Sequence, residues 1–233
     1  MPTGYFHAFA ELHIEQGPIL EAENLPIGIV EAIAAPAGLK MQIEGVGGHA
    51  GAVLMPERHD AFLAAAEIAL ALEASARSSG AVDTVATVGV CNVFPGAVNS
   101  IPSRVGIEVD IRDIDLARRD RVLADLKLAA DQVVSRRGVK ITTELVNADP
   151  PAICAPLVLD ALTRSCAEAG LAHKRMISRA YHDSLFIARI VPTAMVFIPC
   201  RGGVSHRPDE YSSPEAIAAG TRVLAGALAE LAA

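Results

Sequence analysis

The stretch GLKMQIEG, residues 38–45, alternates apolar and polar side chains along its length. Its apolar members, Leu39, Met41 and Ile43, fall on one side, which predicts a strand with one buried face. Residues 56–77, PERHDAFLAAAEIALALEASAR, follow with apolar residues at helical spacing. They predict a helix with Pro56 near its first turn.

Four further elements follow this helix. TVATVGVCNV (residues 84–93) and RVGIEVDIR (104–112) predict two strands, and in the second the side chains at 105, 107, 109 and 111 share one face. Residues 115–138 predict a helix with Asp115 at its start and Gly138 just past its end. VKITTELV (139–146) predicts a last strand. The order β-α-β-β-α-β is that of a ferredoxin-like domain, which we assign to residues 36–146.

The flanking segments, residues 1–35 and 147–233, have an α/β character. IGIVEAIAA (27–35) is an apolar run typical of a buried parallel strand. Beyond residue 146 the pattern predicts helix 156–169, strand 174–178, helix 184–190, strand 193–200 and helix 214–231. We therefore expect an α/β domain interrupted by an inserted domain. The α/β part has few strands, so we also expect that a further piece of it precedes residue 1.

Composition excludes several classes of protein. With 20 basic and 27 acidic residues the net charge is −7, which argues against a nucleic-acid partner. No apolar run reaches the length of a membrane span, and the N-terminus lacks the pattern of a secretory signal. The four cysteines form no CxxC pair, so we expect reduced, mostly buried thiols in a cytoplasmic protein.

The candidate chemistry lies in histidines within strand-end and glycine-rich contexts. They occur in ELHIEQGP (11–18), GVGGHAG (45–51), AYHDS (180–184) and GGVSHRPDE (202–210). Gly47-Gly48 and Gly202-Gly203 would let the backbone approach a ligand closely. No HExxH, GxSxG or phosphate-loop motif is present, so spacing alone indicates only a histidine-containing site in an α/β protein.

Six blocks of sequence carry a resemblance to a known family: ELHIEQGPILE, GGHAGAVLMPERHDA, PGAVNSIPS, DIRDID, ISRAYHDSLFIARI and FIPCRGGVSHRPDEYSSPE. They resemble the amidase/hydantoinase/carbamoylase branch of the di-metal aminoacylase and carboxypeptidase superfamily. Within it, AVLMPERHDA and SRAYHDSLFIAR are most similar to ureidoglycolate amidohydrolases. The resemblance implies a partial di-metal hydrolase domain, interrupted by an inserted lid and dimerisation domain.

The resemblance also implies roles for individual residues. His13 and His206 resemble metal ligands, and Gln16, Tyr181 and His182 would contact substrate. The remaining three lie on the inserted domain. His49 and Asn99 would steady the oxyanion in the partner subunit's site, and Arg112 would clamp the substrate carboxylate.

The implied function is hydrolysis of a linear ureido or carbamoyl amide, such as ureidoglycolate, allantoate or an N-carbamoyl-L-amino acid, with release of ammonia. Two divalent ions, Mn²⁺ or Zn²⁺, would serve the complete enzyme, which would be a homodimer. The family's other ligands and its general base have no counterpart here, and Glu11 and Glu15 do not match them. We therefore expect the chain to lack an N-terminal segment and to be a poor hydrolase alone.

Several alternatives stay open. The chain could be an aminoacylase or dipeptidase relative, or a non-catalytic dimerising and ligand-binding remnant. Arg112 lies among aspartates and could form only a surface ion pair, and His182 could cap the helix that follows it. His59 and His173 are interpreted as structural.

Overall fold

The computed structural model of the protein describes residues 4–233. They divide into two compact units. The first runs to Ala35 and resumes at Pro151, and the second comprises Pro36–Pro150. The strands are β1 (Phe9–Ile14), β2 (Ile27–Ile33), β3 (Ala35–Glu44), β4 (Gly48–His49), β5 (Val85–Phe94), β6 (Ser100–Ile101), β7 (Arg104–Asp113), β8 (Lys140–Ala148), β9 (Ala152–Ile153), β10 (His173–Ser178) and β11 (Thr193–Ile198). The helices are α1 (Ile19–Ala22), α2 (Ala61–Ser78), α3 (Leu116–Arg137), α4 (Pro156–Glu168), α5 (Asp183–Ile187) and α6 (Pro214–Leu231).

The second unit contains a four-stranded sheet in the order β5-β7-β3-β8 and the helices α2 and α3. The predicted alternation is confirmed, because the apolar side chains of β3 and β7 enter the core and the intervening polar ones do not. Glu108, Asp110 and Arg112 accordingly lie on the other face of the sheet. The short strands β4 and β6, which sequence patterns do not predict, pair with each other in this unit.

The two helices of this unit differ in how well sequence predicted their starts. α3 begins after Asp115, whose side chain accepts the N–H of Arg118, and ends at the left-handed Gly138, as predicted. The predicted start of α2 near Pro56 is wrong. Met55–Glu57 form a separate 3₁₀ turn, and α2 begins at Ala61 because Asp60 caps the N–H groups of Phe62 and Leu63.

The first unit contains the sheet β1-β11-β2-β10, with β9 beside β2. β1 runs parallel to β11, and β10 runs parallel to β2. The prediction of a buried parallel strand at residues 27–35 is correct only in part, because β2 is antiparallel to its other long neighbour, β11. Strand β11 is buried along its whole length, and α4 and α6 contribute to the same core.

The structure thus confirms a mixed α/β fold. All four cysteines are free thiols; three are buried, whereas Cys91 on β5 is exposed. Burial raises the pKa of Cys154 to about 12 and that of Cys166 to about 11. Within residues 4–233, no helix combines the length and the apolar character needed to cross a membrane.

Candidate metal and substrate site

His13 lies near the carboxyl end of β1, directly beside Phe197 of the parallel strand β11. Its Nδ1 is 2.8 Å from the carbonyl oxygen of Ile14. A carbonyl only accepts hydrogen bonds, so this contact places the ring proton on Nδ1. The lone pair of Nε2 then remains for a ligand, as in a metal-binding histidine.

His182 packs edge-on against His13, with ring centroids 4.8 Å apart. Its Nε2 lies 2.7 Å from the Ser178 hydroxyl, and the side chain is buried. Burial, and then the neighbouring His13, lower the pKa of His182 to about 4. The ring is therefore neutral near pH 7. The alternative that His182 caps a helix is wrong for its side chain, which makes no capping hydrogen bond to α5.

Glu11 completes a cluster with these two histidines. It precedes His13 by two residues on β1, so both side chains point to the same face, and it accepts a hydrogen bond from the Ser184 hydroxyl. One ligand atom from each of Glu11, His13 and His182 lies within 4.8 Å of the others. Two imidazoles and a carboxylate suit Zn²⁺ and related divalent ions. Sequence reasoning placed Glu11 outside the family's ligand set; the one signal for its position is the spacing of two in ELH, which puts Glu11 and His13 on the same face of a strand.

Glu15 has a different, structural task. Its buried carboxylate accepts the N–H groups of Ile19 at 2.9 Å and Leu20 at 2.7 Å, which fixes the start of α1 after the strand. This agrees with the interpretation that Glu15 is not part of the metal site.

A second cluster joins Gln16 to the loop before α6. The Gln16 amide nitrogen donates to the Ser205 hydroxyl at 2.8 Å and lies 3.5 Å from Nε2 of His206. Glu210 accepts hydrogen bonds from the Ser205 hydroxyl and from the His206 N–H. Gln16 and His206 both have a φ of 57°. Such strained backbone in non-glycine residues is concentrated at functional sites.

The two clusters are connected through the segment after β1, because His13 and Gln16 are three residues apart. The pKa of the Glu210 carboxyl is lowered, first by the His206 N–H and next by the Ser205 hydroxyl. Glu210 therefore fixes the loop that carries His206, the second predicted metal ligand. Ser205 and Glu210 lie in a loop without periodic pattern, so sequence reasoning did not single them out.

Glycines bring the loops that carry these clusters together. A Cβ at Gly203 would lie 2.7 Å from both the carbonyl carbon of Gly17 and the nitrogen of Pro18. We expected Gly202-Gly203 to let the backbone approach a ligand. In the structure Gly203 instead lets the backbones of two loops approach each other closely. The N–H of Gly202 is occupied too, since it donates to Glu21 at 2.6 Å.

His49 and Asn99 come together in the second unit. β4 pairs with β6 so that His49 faces Ser100, and the Ala50 N–H donates to the Asn99 carbonyl at 2.9 Å. Both residues are exposed.

Arg112 and Tyr181 are the remaining predicted contacts to substrate. The Arg112 guanidinium forms a fork on Asp110 at 2.8 and 2.9 Å, which raises its pKa. The Tyr181 ring packs edge-on against Phe186 at 5.4 Å. His59 has the structural role assigned to it, because its Nδ1 is 2.8 Å from the carbonyl of Arg137 at the end of α3.

Fold and site together define a mixed α/β protein with a histidine and carboxylate cluster at a strand end. The chain belongs to the peptidase family M20/M25/M40, whose model matches residues 3–230. Solved structures agree: it superposes with a TM-score of 0.90 on an amidase of the hydantoinase/carbamoylase family from Burkholderia multivorans, at 35% identity, covering 97% of this chain and 55% of that one. The resemblance drawn from the sequence motifs is confirmed.

The similarity extends to named enzymes. The chain is 56% identical over 232 residues to ureidoglycolate hydrolase from Arabidopsis thaliana, covering 99% of this chain and 49% of that protein. It is 39% identical over 216 residues to N-carbamoyl-L-amino-acid amidohydrolase from Pseudomonas sp. (strain NS671), covering 93% and 52%. The crystal structure of AtUAH in complex with glyoxylate superposes with a TM-score of 0.91 at 56% identity, covering 99% of this chain and 55% of that one. The chain spans about half the length of the curated relatives it matches.

Proposed function

We propose that the protein acts as a metal-dependent amidohydrolase on linear ureido or carbamoyl amides, with ureidoglycolate as the first candidate substrate. The observation that carries this proposal is the placement of His13, with its Nε2 free for an ion, beside Glu11 and His182. The similarity to ureidoglycolate hydrolase and to N-carbamoyl-L-amino-acid amidohydrolase supports the substrate class. The cytoplasm is the proposed location.

His13 and His206 are the proposed ligands of a divalent ion, Mn²⁺ or Zn²⁺. The ring orientation of His13 fits this role, and Glu210 holds the backbone of His206 in place. When bound, two such ions would acidify a water molecule and polarise the amide carbonyl. The chain spans about half the length of its relatives, so we assign the further ligands and the hydrolysis itself to the whole protein as part of this proposal.

The chain's own residues would bind and orient the substrate. Neutral His182 can exchange hydrogen bonds with a ureido group without the cost of burying a charge. Gln16 presents its amide beside His206, and Tyr181 borders the same segment as His182. Arg112 would leave Asp110 to form its fork on the substrate carboxylate.

The second unit is the proposed lid and dimerisation domain, of the ferredoxin-like type. Its strand order β5-β7-β3-β8 is the one that a split β-α-β fold produces. β5 ends the sheet and is mostly exposed over ten residues, which leaves an edge able to pair with a second copy. In such a homodimer, His49 and Asn99 would donate hydrogen bonds to the oxyanion formed in the partner's site.

An ammonia-release assay with added Mn²⁺ tests the function. Ureidoglycolate, allantoate and N-carbamoyl-L-amino acids are offered to the chain alone and to the chain produced together with the part of the Arabidopsis relative that it does not match. We expect turnover only in the combination. Turnover by the chain alone at about 1–10³ s⁻¹ would contradict the expectation that further ligands are needed. A stable combination without turnover would favour a non-catalytic remnant.

The Arg112→Lys variant of the active combination tests the carboxylate clamp. Lysine keeps the charge but cannot form a fork on two oxygens, so most of the activity should be lost while the fold persists. Arg77→Lys is the control, because Arg77 is an exposed residue of α2 that forms an ion pair with the exposed Glu73. Unchanged catalytic efficiency in Arg112→Lys would reduce Arg112 to an ion-pair residue.

A further inference from the structure

We propose that Arg58 is a positioning residue that fixes the loop of His49 and thereby directs the His49 side chain. This inference rests on the oxyanion role proposed for His49. The contacts of Arg58 that support the inference all lie within the second unit.

The Arg58 side chain ties together two carbonyls of this loop. Its Nε donates to the carbonyl of Val53 at 3.1 Å, and its Nη2 donates to that of Ala50. The donors of a guanidinium have a fixed planar geometry, so the two bonds set the distance between these carbonyls. The side chain is only half-buried, yet its charge makes each bond stronger than a neutral one.

The loop in turn fixes the ring of His49. The carbonyl of His49 accepts the N–H groups of Ala52 and Val53 at 3.1 and 3.2 Å, which closes a tight turn. The Gly51 N–H points at Nδ1 of the ring from 3.1 Å. An N–H can only donate, so Nδ1 is the acceptor and the proton of the neutral ring lies on Nε2. Nε2 is then a donor, as an oxyanion requires.

The same turn is hydrogen-bonded to Asn99. The Ala50 N–H donates to the Asn99 carbonyl, while the Ala50 carbonyl accepts from Arg58. The peptide groups around Ala50 therefore connect Arg58 to both proposed oxyanion donors. Loss of the guanidinium should disturb His49 first and Asn99 through it.

The backbone of Arg58 is held in place because the next two residues, His59 and Asp60, form their own hydrogen bonds to the helices of this unit. His59 is bonded to the carbonyl of Arg137 at the end of α3, and its own carbonyl accepts the Val46 N–H at 2.9 Å. Asp60 caps α2. The segment Arg58–Asp60 thus joins both helices of the unit to the loop of His49.

Nitrogen-15 NMR of histidine side chains in the 233-residue chain tests the proposal. The variants are Arg58→Ala and Arg58→Lys. Arg77→Ala, at an exposed position of α2, is the control, and His49→Gln assigns the His49 signals. In the wild type and in Arg77→Ala we expect a pyridine-type Nδ1 and a pyrrole-type Nε2 for His49. In Arg58→Ala the two shifts should move toward each other as the tautomers mix. Arg58→Lys should be intermediate, because lysine cannot span both carbonyls.

Amide exchange separates positioning from unfolding. In Arg58→Ala the amides of Ala50 and Gly51 should exchange at least about tenfold faster, since two charge-assisted hydrogen bonds are lost. The amides of buried β7 should be unchanged. A His49 ring that keeps its tautomer in Arg58→Ala, with an intact β7, would overturn the proposal. If the amides of β7 also lose protection in Arg58→Ala, that variant is unfolded and Arg58→Lys becomes the test. Wild-type His49 shifts in Arg58→Lys would then overturn the proposal.

The readout needs no substrate, so its failure differs from a failure of the proposed function. If the unmutated combination releases no ammonia but the His49 tautomers mix in Arg58→Ala, only the proposed function is contradicted. If the combination is active but His49 keeps its tautomer in Arg58→Ala, only the role of Arg58 is contradicted.

Discussion

At the scale of the residue, the strand-end histidine was predictable but its neighbours were not. HIEQGP is typical of a strand end that carries polar groups, and His13 is indeed the last residue but one of β1, beside β11. The contact with His182 joins residues far apart in the chain, and no local pattern encodes it. The same holds for Ser205 and Glu210, which lie in an irregular loop and matter through their bonds to Gln16 and to the His206 backbone.

Glu15→Gln tests the structural role of this glutamate. An amide offers one acceptor oxygen where the carboxylate offers two, and its NH₂ group would face a backbone N–H. We expect a loss of about 1–3 kcal/mol in the free energy of unfolding, the usual cost of an unsatisfied buried group. Urea denaturation measures it. Glu23→Gln, which removes only an exposed ion pair with Lys174, should cost less than about 1 kcal/mol; equal losses would refute the assignment.

At the scale of the element, capping residues explain where prediction succeeded and failed. Asp115 and Gly138 stand directly at the ends of the apolar periodicity, so the bounds of α3 followed from local chemistry. For α2, Pro56 predicted a start four residues before Asp60, the residue that caps the helix in the structure. Arg58 between them has an extended backbone, and the side-chain bonds of Arg58 and His59, which sequence does not reveal, hold this segment outside the helix. The very short elements β4, β6, β9 and α1 are too brief to show a period.

Gly138→Ala tests the end of α3. Gly138 has a φ of 63°, and an added Cβ would lie 2.6 Å from Nδ1 of His59. Gly80→Ala is a matched control with a φ of 70° and nothing within 4 Å of the added Cβ. We expect the control to lose about 1–2 kcal/mol from backbone strain alone and Gly138→Ala to lose clearly more. Thermal unfolding compares the stability of the two variants. Equal losses would show that the His59 side chain moves away from the added Cβ at little cost.

Asp113 makes the joint between β7 and α3 sensitive to pH. Burial raises the pKa of this carboxyl, but hydrogen bonds from Arg118, Thr84 and the Asp115 N–H outweigh it, so the pKa lies below its ordinary value. A depressed folded pKa stabilises the fold above the unfolded value of about 3.9, and this stabilisation is lost as pH falls through the folded pKa.

Asp113→Asn should therefore destabilise the protein at pH 7 by about 1–3 kcal/mol, and the difference from wild type should shrink as the pH is lowered below about 4. Urea denaturation across that range measures both effects. Asp131→Asn, on the exposed side of α3, should show little change at either pH. A difference between Asp113→Asn and wild type that is independent of pH would mean that the carboxylate charge is not what matters.

At the scale of the whole molecule, sequence patterns supplied the order of the elements but not all of the pairing. The β-α-β-β-α-β order of the second unit was legible because each strand alternates and each helix is long. In the first unit the apolar run of β2 did not reveal that its neighbours run in opposite directions. A strand buried on both faces lacks the alternation that would have constrained its pairing.

Assembly is testable through the free edge of β5. We expect the 233-residue chain to sediment as a dimer at micromolar concentration. The double variant Val90→Lys and Val93→Lys places like charges on the exposed edge of β5 in both copies and should give a monomer. Val82→Lys adds a charge at an exposed position just before the strand and should stay dimeric. A dimer that survives the double variant would place the interface elsewhere.

The contact of Gly203 with Gly17 and Pro18 has a consequence for protein engineering. The loops after β1 and β11 carry Gln16 and His206, and their main chains touch where any side chain would collide. They form a single transplantable module: a designer who grafts one loop onto another scaffold must carry the other with it. Random libraries at position 203 should return almost only glycine among folded clones, whereas diversity introduced at neighbouring Arg207, whose exposed side chain pairs with Asp209, should be tolerated.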